Sequence, residues 1–210
     1  YSAAEEKLTE FYTALGQNRQ LYEAVLALSQ GTDFSTLSRA ERTLVEDSLR
    51  GFRLSGVALQ EPERSRFAAI QTELSKLSTA FSEAVLDSTD GWTRPLAESE
   101  LAGLPASALP MFQQYAKEHG VDGYLATLMA PSVQAIMSLA ADRKLREDVY
   151  TAYHTRASDQ GPHDPQHDNA RRIEQIMALR HESANLLGFA TAAHESLDGK
   201  MAATPERVLD

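Results

Sequence analysis

The sequence predicts a mainly helical, all-α protein of 210 residues. Apolar residues recur at spacings of three and four along most of the chain, as one face of an α-helix requires. Capping residues, glycines and prolines divide these periodic stretches into pieces of helical length. Two short segments favour an extended backbone instead. We therefore expect an array of many helices, arranged as one large domain or two small ones.

Three helices are predicted before residue 60. The first two carry apolar stripes that end near Gly16 and Gly31, where glycine favours a helix end. The third begins at Ser38 and Glu41, which have the spacing of a capping box, and it ends near Gly56. Because its apolar positions also fall three and four residues apart, one face of this helix is expected to be buried.

The strongest periodic signal lies between residues 62 and 86, where apolar side chains follow one another in steps of three and four. This pattern predicts one long helix. Such a helix can dock onto a partner protein as part of a coiled coil, or it can pack within its own chain as a core helix. The heptads are few and the neighbouring helices many, which favours the core helix.

Residues 91–97 and 123–129 are the two extended segments, with helical sequence between them. Trp92 and Thr93 favour a strand, and Pro95 is compatible only with an edge position because it has no amide hydrogen. The two segments can pair as a small two-stranded ribbon. This ribbon is the only β-structure that the sequence predicts.

The remainder of the chain is divided by caps and one polar stretch. A short helix follows Pro131, and Asp142 is in position to cap the next helix. Residues 158–168 contain two prolines, one glycine and many polar side chains, which predicts a loop. Asp168 then caps a helix that ends at Gly188.

The composition excludes several classes of function. There is no cysteine, so disulfides and thiolate metal sites are excluded, and a reducing compartment such as the cytoplasm is expected. Thirty acidic and twenty basic residues give a net charge of -10, which repels nucleic acid and anionic membrane surfaces. No apolar run approaches the roughly 18–20 residues that cross a bilayer. Neither nucleic acid nor membrane is expected as a partner.

Both ends of the sequence predict a helix. Ser2 and Glu5 have capping-box spacing, and Thr204 with Pro205 begins a helix about one turn before the last residue. A helix of one turn does not stabilise itself, because nucleation costs more than a single turn returns. We therefore expect the chain to be a fragment of a longer polypeptide.

Two histidines come close to the H-E-x-x-H pattern of zinc peptidases, in which both imidazoles face one ion. His181 is followed four residues later by Asn185, whose amide is a very poor zinc ligand, so a structural, hydrogen-bonded histidine is expected. His194 is followed by Asp198, but no third ligand lies near them in sequence. A pair on the surface of a short helix is the simpler interpretation.

His163 and His167 belong to the densest group of possible metal ligands, so a small metal-binding module remains an alternative. Pro165 prevents a regular helix from aligning the two imidazoles, and Asp168 is needed as a cap. The polarity of an exposed loop explains the group more simply. No nucleophile elbow and no phosphate-binding glycine loop occurs. The residues alone therefore indicate a helical domain without a recognisable active site.

Five groups of short segments, in chain order, resemble the oligopeptidase A branch of the thimet oligopeptidase family of zinc metallopeptidases. They are 74–77 (LSKL) with 81–82 and 85–87; 100–105 (ELAGLP); 157–162 (ASDQGP); 178–182 (ALRHE) with 185–189 (NLLGF); and 200–202 (KMA) with Pro205 and 208–209. Each is weak alone, but together they span most of the chain. The sequence departs from the family at 129–137, and at His167, where a tryptophan is common.

The resemblance implies a metalloendopeptidase of two mostly helical halves that face a deep channel for short peptides. This chain resembles part of the amino-terminal half and is expected to form a wall of that channel. In the family the zinc-binding helix belongs to the other half, so this segment is expected to hold no catalytic, cofactor-binding or metal residue and to be inactive alone. Its partners are then short peptides and the missing carboxy-terminal catalytic half.

Three loop residues, Arg156, Ser158 and Asp159, are the candidates for contact with substrate on that wall. They lie in or beside the segment 157–162 that carries part of the resemblance. The alternative function from another class is a non-catalytic helical protein-interaction domain, in which the helix at 62–86 docks onto a partner.

Overall fold

A computed structural model describes residues 2–210 of the chain, with side chains from residue 4 onward. The described part contains ten α-helices and one two-stranded antiparallel ribbon, which confirms the mainly helical prediction. Three short 3-10 helices lie at Thr32–Thr36, Glu98–Leu101 and Pro165–His167. The helices and strands are α1 (Ser2–Gly16), α2 (Arg19–Gln30), α3 (Arg39–Leu54), α4 (Glu63–Gly91), β1 (Thr93–Leu96), α5 (Leu109–Glu118), β2 (Tyr124–Thr127), α6 (Ala130–Leu139), α7 (Arg143–His154), α8 (Ala170–Leu186), α9 (Ala192–Leu197) and α10 (Pro205–Leu209).

The helix starts follow the predicted caps. At α3 the amide of Glu41 donates to Ser38 Oγ at 3.3 Å, and the amide of Ser38 donates to Glu41 Oε2 at 2.8 Å, so the capping box is complete. Asp142 accepts from the third amide beyond it at 2.7 Å, and Thr204 does the same at 3.3 Å. These side chains satisfy amides that have no partner within the helix. The predicted cap at Ser2 lies outside the described side chains.

Helix α4 is the predicted long helix, but it continues to Gly91 instead of ending near residue 86. The added turn contains Ser88, which is only 2% exposed and whose hydroxyl accepts the amide of Ala157 at 3.2 Å. Tertiary contacts therefore outweigh the weak helix propensity of this polar stretch. Phe67 and Ile70 are buried, as a core helix requires, whereas Leu86 is exposed.

The described residues divide into two compact units, one formed by residues up to 79 together with 174–210 and the other by 80–173. In the first unit, ion pairs join helices that are distant in sequence. Arg66 on α4 contacts Glu182 on α8 through two bonds of 2.6 Å, and Lys76 contacts Glu6 at 2.7 Å. In contrast, α2 and α3 contain no buried residue. The buried apolar residues of this unit lie elsewhere, at Val57, Phe67, Ile70, Leu179 and Ala184.

The second unit has a continuous apolar core. The ribbon pairs Thr93 with Thr127 and Leu96 with Tyr124, as the two extended segments predicted. Its buried residues pack with those of α5, α6 and α7, and the core contains Leu96, Leu104, Phe112, Ala126, Ile136, Ala140, Leu145 and Val149. Ser132 is fully buried, and its hydroxyl accepts the amide of Thr127 at 3.1 Å. Buried polar groups of this kind are stable because they are paired.

Arg94 on β1 ties the ribbon to two further segments. Its guanidinium lies 2.6 Å from Glu100 in the following 3-10 helix and 3.3 Å from Asp148 on α7. The hydrogen bond from Arg94 holds the pKa of Glu100 below its ordinary range. No helix in the described residues is both long enough and apolar enough to cross a membrane.

Candidate functional site

The loop at 158–168 and the backbone just before it form the candidate site, within the second unit. The loop joins α7 to α8 through turns and one short 3-10 helix, so the loop prediction is confirmed. Asp159 and Gln160 lie at its surface, whereas Ala157 at its start is only 6% exposed. An exposed loop whose base is buried can present side chains in a fixed position.

Ala157 is held on both sides of its peptide backbone. Its amide donates to Ser88 Oγ on α4 at 3.2 Å, and its carbonyl accepts the amide of Asn169 at 3.0 Å. Ser88 is 2% and Asn169 is 1% exposed. Ala157 has φ of +50°, a left-handed conformation that residues other than glycine rarely adopt. The two hydrogen bonds therefore stabilise a backbone geometry that is unfavourable by itself.

Asn169 connects the end of the loop to two helices. Its Nδ2 donates to the carbonyl of Phe81 on α4 at 3.1 Å, and its Oδ1 accepts from Arg172 on α8 at 2.9 Å. The side chain of the predicted cap Asp168 accepts the amide of Ala170 at 2.9 Å. The first hydrogen bond of the helix is accepted by the next residue, Asn169, whose carbonyl bonds the amide of Ile173 at 2.9 Å. Asp168 and Asn169 thus share the start of α8.

The three residues predicted to contact substrate lie together at the start of the loop, but they differ in what they contact. The guanidinium of Arg156 donates to the carbonyl of Tyr153 at 2.8 Å and to Thr89 Oγ1 at 3.2 Å, and it lies 3.8 Å from the centre of the Tyr153 ring. The hydroxyl of Ser158 bonds the backbone of its own turn. Within the described residues, Asp159 is exposed and has no hydrogen-bond or ion-pair partner.

Ser88, Thr89 and Asn169, which hold this loop in place, were not predicted from the sequence. Ser88 and Thr89 belong to a polar run beyond the apolar stripe of α4, and no local pattern indicates a partner almost seventy positions away. Asn169 offered one signal, because asparagine is a favoured N-cap residue directly before a helix. That signal was assigned to Asp168 alone.

His163 and His167 do not form a metal site with the donors around them. The Nε2 of His163 lies 2.7 Å from the carbonyl of Ala152, whereas His167 Nδ1 lies 3.8 Å from Asp87 Oδ2. Within residues 4–210 no group of three or more histidine, aspartate and glutamate side chains is arranged to hold a metal ion. A catalytic zinc needs three protein ligands. The described donor set therefore does not fit a zinc ion.

The two histidines that come close to the zinc-peptidase pattern, His181 and His194, lie in the first unit. His181 is exposed and makes no hydrogen bond within the described residues, so the expectation of a hydrogen-bonded structural histidine is wrong. Its neighbour Glu182 makes the tertiary contact instead, and the hydrogen bonds from Arg66 lower the pKa of Glu182. His194 lies on the short helix α9 with its Nδ1 2.8 Å from Thr191 Oγ1.

Comparison with known proteins connects this geometry to one family. A model described as the neurolysin and thimet oligopeptidase N-terminal domain matches residues 1–64, and a model described as peptidase family M3 matches residues 136–210. The second match includes the loop at 158–168. Oligopeptidase A of Salmonella typhimurium is 46% identical over 204 residues, which cover 97% of this chain. The chain belongs to peptidase family M3.

Further relatives place the M3 segment at the amino-terminal end of longer proteins. Oligopeptidase A of Escherichia coli is 45% identical over 97% of the segment, and a probable cytosolic oligopeptidase A of Arabidopsis thaliana is 40% identical over 92% of it. The segment spans only 30% of the length of the two bacterial relatives and 28% of the plant one. The resemblance inferred from the sequence is thus confirmed for an amino-terminal segment.

Proposed function

We propose that this chain is the amino-terminal part of a cytoplasmic zinc-dependent endopeptidase that hydrolyses short peptides in peptide catabolism. The observation that carries the proposal is the 46% identity, over 97% of the chain, to a protein named oligopeptidase A. Zinc and its ligands then belong to the carboxy-terminal part of the polypeptide, since the described donor set does not fit the ion. A relative named as cytosolic and the absence of cysteine support the compartment.

Within this proposal the segment binds and selects substrate while the other part performs the chemistry. Its helices form one wall of a channel that admits short, unfolded peptides and excludes folded proteins. Arg156, Ser158 and Asp159 lie on, or just before, the loop that we assign to this wall. Because a wall of this kind binds substrate in the ground state, loss of its substrate contacts is expected to raise KM more than it lowers kcat.

The amino-terminal helix α1 has exposed apolar side chains, which support the missing catalytic half as its partner. On α1 the side chains of Leu8, Phe11, Tyr12 and Leu15 are 47%, 59%, 63% and 41% exposed, respectively. They recur at helical spacing, so they form one apolar stripe. Stripes of this kind usually mark an interaction surface. Since the relatives are more than three times as long as the segment, the remainder of the polypeptide is the partner that we propose for this stripe.

The alternative, a non-catalytic domain that docks onto another protein through α4, has less support. That function requires exposed apolar side chains on α4 that do not pack within the chain. Leu86 is 61% exposed, but the other large apolar residues of this helix are buried or half-buried within the chain. The helix therefore uses its apolar stripe internally.

The full-length protein tests the proposal. We expect it to hydrolyse an unfolded peptide of about ten residues, to lose that activity with a zinc chelator and to regain it when zinc is added. A folded protein containing the same peptide sequence is the matched substrate control and is expected to stay intact. The 210-residue chain alone is expected to give no turnover. Absence of chelator-sensitive hydrolysis by the full-length protein, or its presence in the chain alone, would contradict the proposal.

A further inference from the structure

We propose that Ser88 and Asn169 are positioning residues, which hold the loop at 158–168 in one conformation so that the Asp159 carboxylate contacts a positively charged group of the peptide. This inference rests on the proposed function, because it assigns a role to one loop of the channel wall. It goes further by separating residues that shape the loop from the one that meets substrate.

Ala157, at the base of the loop, has a strained backbone conformation. A left-handed alanine persists only where its surroundings determine the backbone more strongly than its own preference does. The backbone N–H of Ala157 donates to Ser88 Oγ at 3.2 Å, and its carbonyl accepts the backbone N–H of Asn169 at 3.0 Å. Strained positions of this kind often occur in segments that contact ligands. The strain sets the direction in which the chain leaves toward Asp159.

Ser88 and Asn169, the two anchors of the loop, are buried. Ser88 and Asn169 are 2% and 1% exposed, and polar side chains at such depth are costly unless they are hydrogen-bonded. Asn169 also donates to the Phe81 carbonyl at 3.1 Å, so the end of the loop is fixed to α4 as its start is. Loss of the Ser88 hydroxyl would leave the buried Ala157 amide unpaired, and loss of the Asn169 side chain would remove the bond that ties the end of the loop to the Phe81 carbonyl.

The side chains of Arg156, Ser158 and Asp159 differ in whether they already have a partner within the chain. Arg156 is engaged by Thr89 and Tyr153, and the Ser158 hydroxyl is engaged by its own turn. Gly161 allows the loop to fold back on α7, because a Cβ there would lie 1.9 Å from Thr155 Oγ1. Asp159 remains exposed and unpaired among the described residues. An unpaired carboxylate on a loop that is held at its base attracts a cation, here the α-ammonium group or a basic side chain of a peptide.

The test uses the full-length protein with the substitutions S88A and D159N. For a short peptide with a free amino terminus and a lysine, both variants are expected to raise KM about tenfold with kcat changed less than about twofold. For an acetylated, lysine-free peptide, D159N is expected to leave KM unchanged.

S48A is the matched control, since Ser48 bonds the carbonyl of Leu44 within its own helix. S88C, of nearly the same shape but with a weak acceptor, is expected to raise KM less than S88A and provides a second variant if S88A does not fold.

Hydrogen exchange in the full-length protein separates the inference from the proposed function. In S88A or S88C the Ala157 amide is expected to exchange faster than in the wild type, because its acceptor is removed or weakened. Unchanged exchange at Ala157 overturns the positioning role even if the wild-type protein has no peptidase activity. If the wild type is active and S88A keeps its KM, or D159N affects both peptides equally, the inference is wrong while the proposed function stands.

Discussion

Replacing Phe112 with alanine is expected to destabilise the second unit by about 3–5 kcal/mol, the cost of a cavity left by a deleted aromatic ring. The side chain is 0% exposed and belongs to the apolar core between the ribbon and the helices α5, α6 and α7. Neighbours in a close-packed core relax only partly into such a space. Urea denaturation of the 210-residue chain, followed by circular dichroism, measures the loss.

Leu139→Ala on α6 is the matched control for this substitution. Leu139 is 48% exposed, so its loss is expected to cost less than about 1 kcal/mol. Equal denaturation midpoints for the two variants would show that Phe112 is not in a core of the kind described here.

Replacing Gly103 with alanine is expected to destabilise the same unit by about 3 kcal/mol. Gly103 has φ of +87°, and a Cβ there would lie 2.3 Å from the carbonyl oxygen of Leu139 and 2.8 Å from the amide nitrogen of Ala141. Both are backbone atoms, so no side-chain rotation relieves the contact. The free energy of unfolding of the variant chain measures the effect.

Gly120→Ala separates this contact from the backbone preference of glycine. Gly120 has φ of +67°, and nothing lies within 4 Å of a Cβ built there, so only the left-handed conformation of alanine contributes, at about 1 kcal/mol. If both substitutions lowered the free energy of unfolding equally, the close approach of Gly103 to the end of α6 would be disproved.

Local features of the fold were predictable because their causes are local. The capping box at Ser38 and Glu41 and the cap at Asp142 depend on residues three positions apart, and the structure contains both. The ribbon was predictable from the composition of two short segments, with Pro95 at a position where no donor is needed.

Features that depend on distant residues were not predictable. The last turn of α4 contains Ser88, which bonds Ala157 at a separation of 69 residues, and Asn169 bonds Phe81 at a separation of 88. Neither pair has a signature in its own segment. His181 shows the opposite error, because a structural, hydrogen-bonded histidine was expected, whereas its side chain is exposed on α8.

The candidate site was predictable only through resemblance. Periodicity and spacing gave a helical domain with no active site, and the short segments such as 157–162 supplied the family. The structure adds the different roles of Arg156, Ser158 and Asp159, which follow from their hydrogen bonds and not from their order in the sequence.

Metal analysis of two purified proteins tests the proposal that this segment belongs to a zinc peptidase whose metal ligands lie elsewhere in the polypeptide. The full-length protein is expected to contain about one zinc ion per chain, and the 210-residue chain to contain far less than one. Near-equimolar zinc in the 210-residue chain, or none in an intact full-length protein, would contradict this assignment of the zinc ligands.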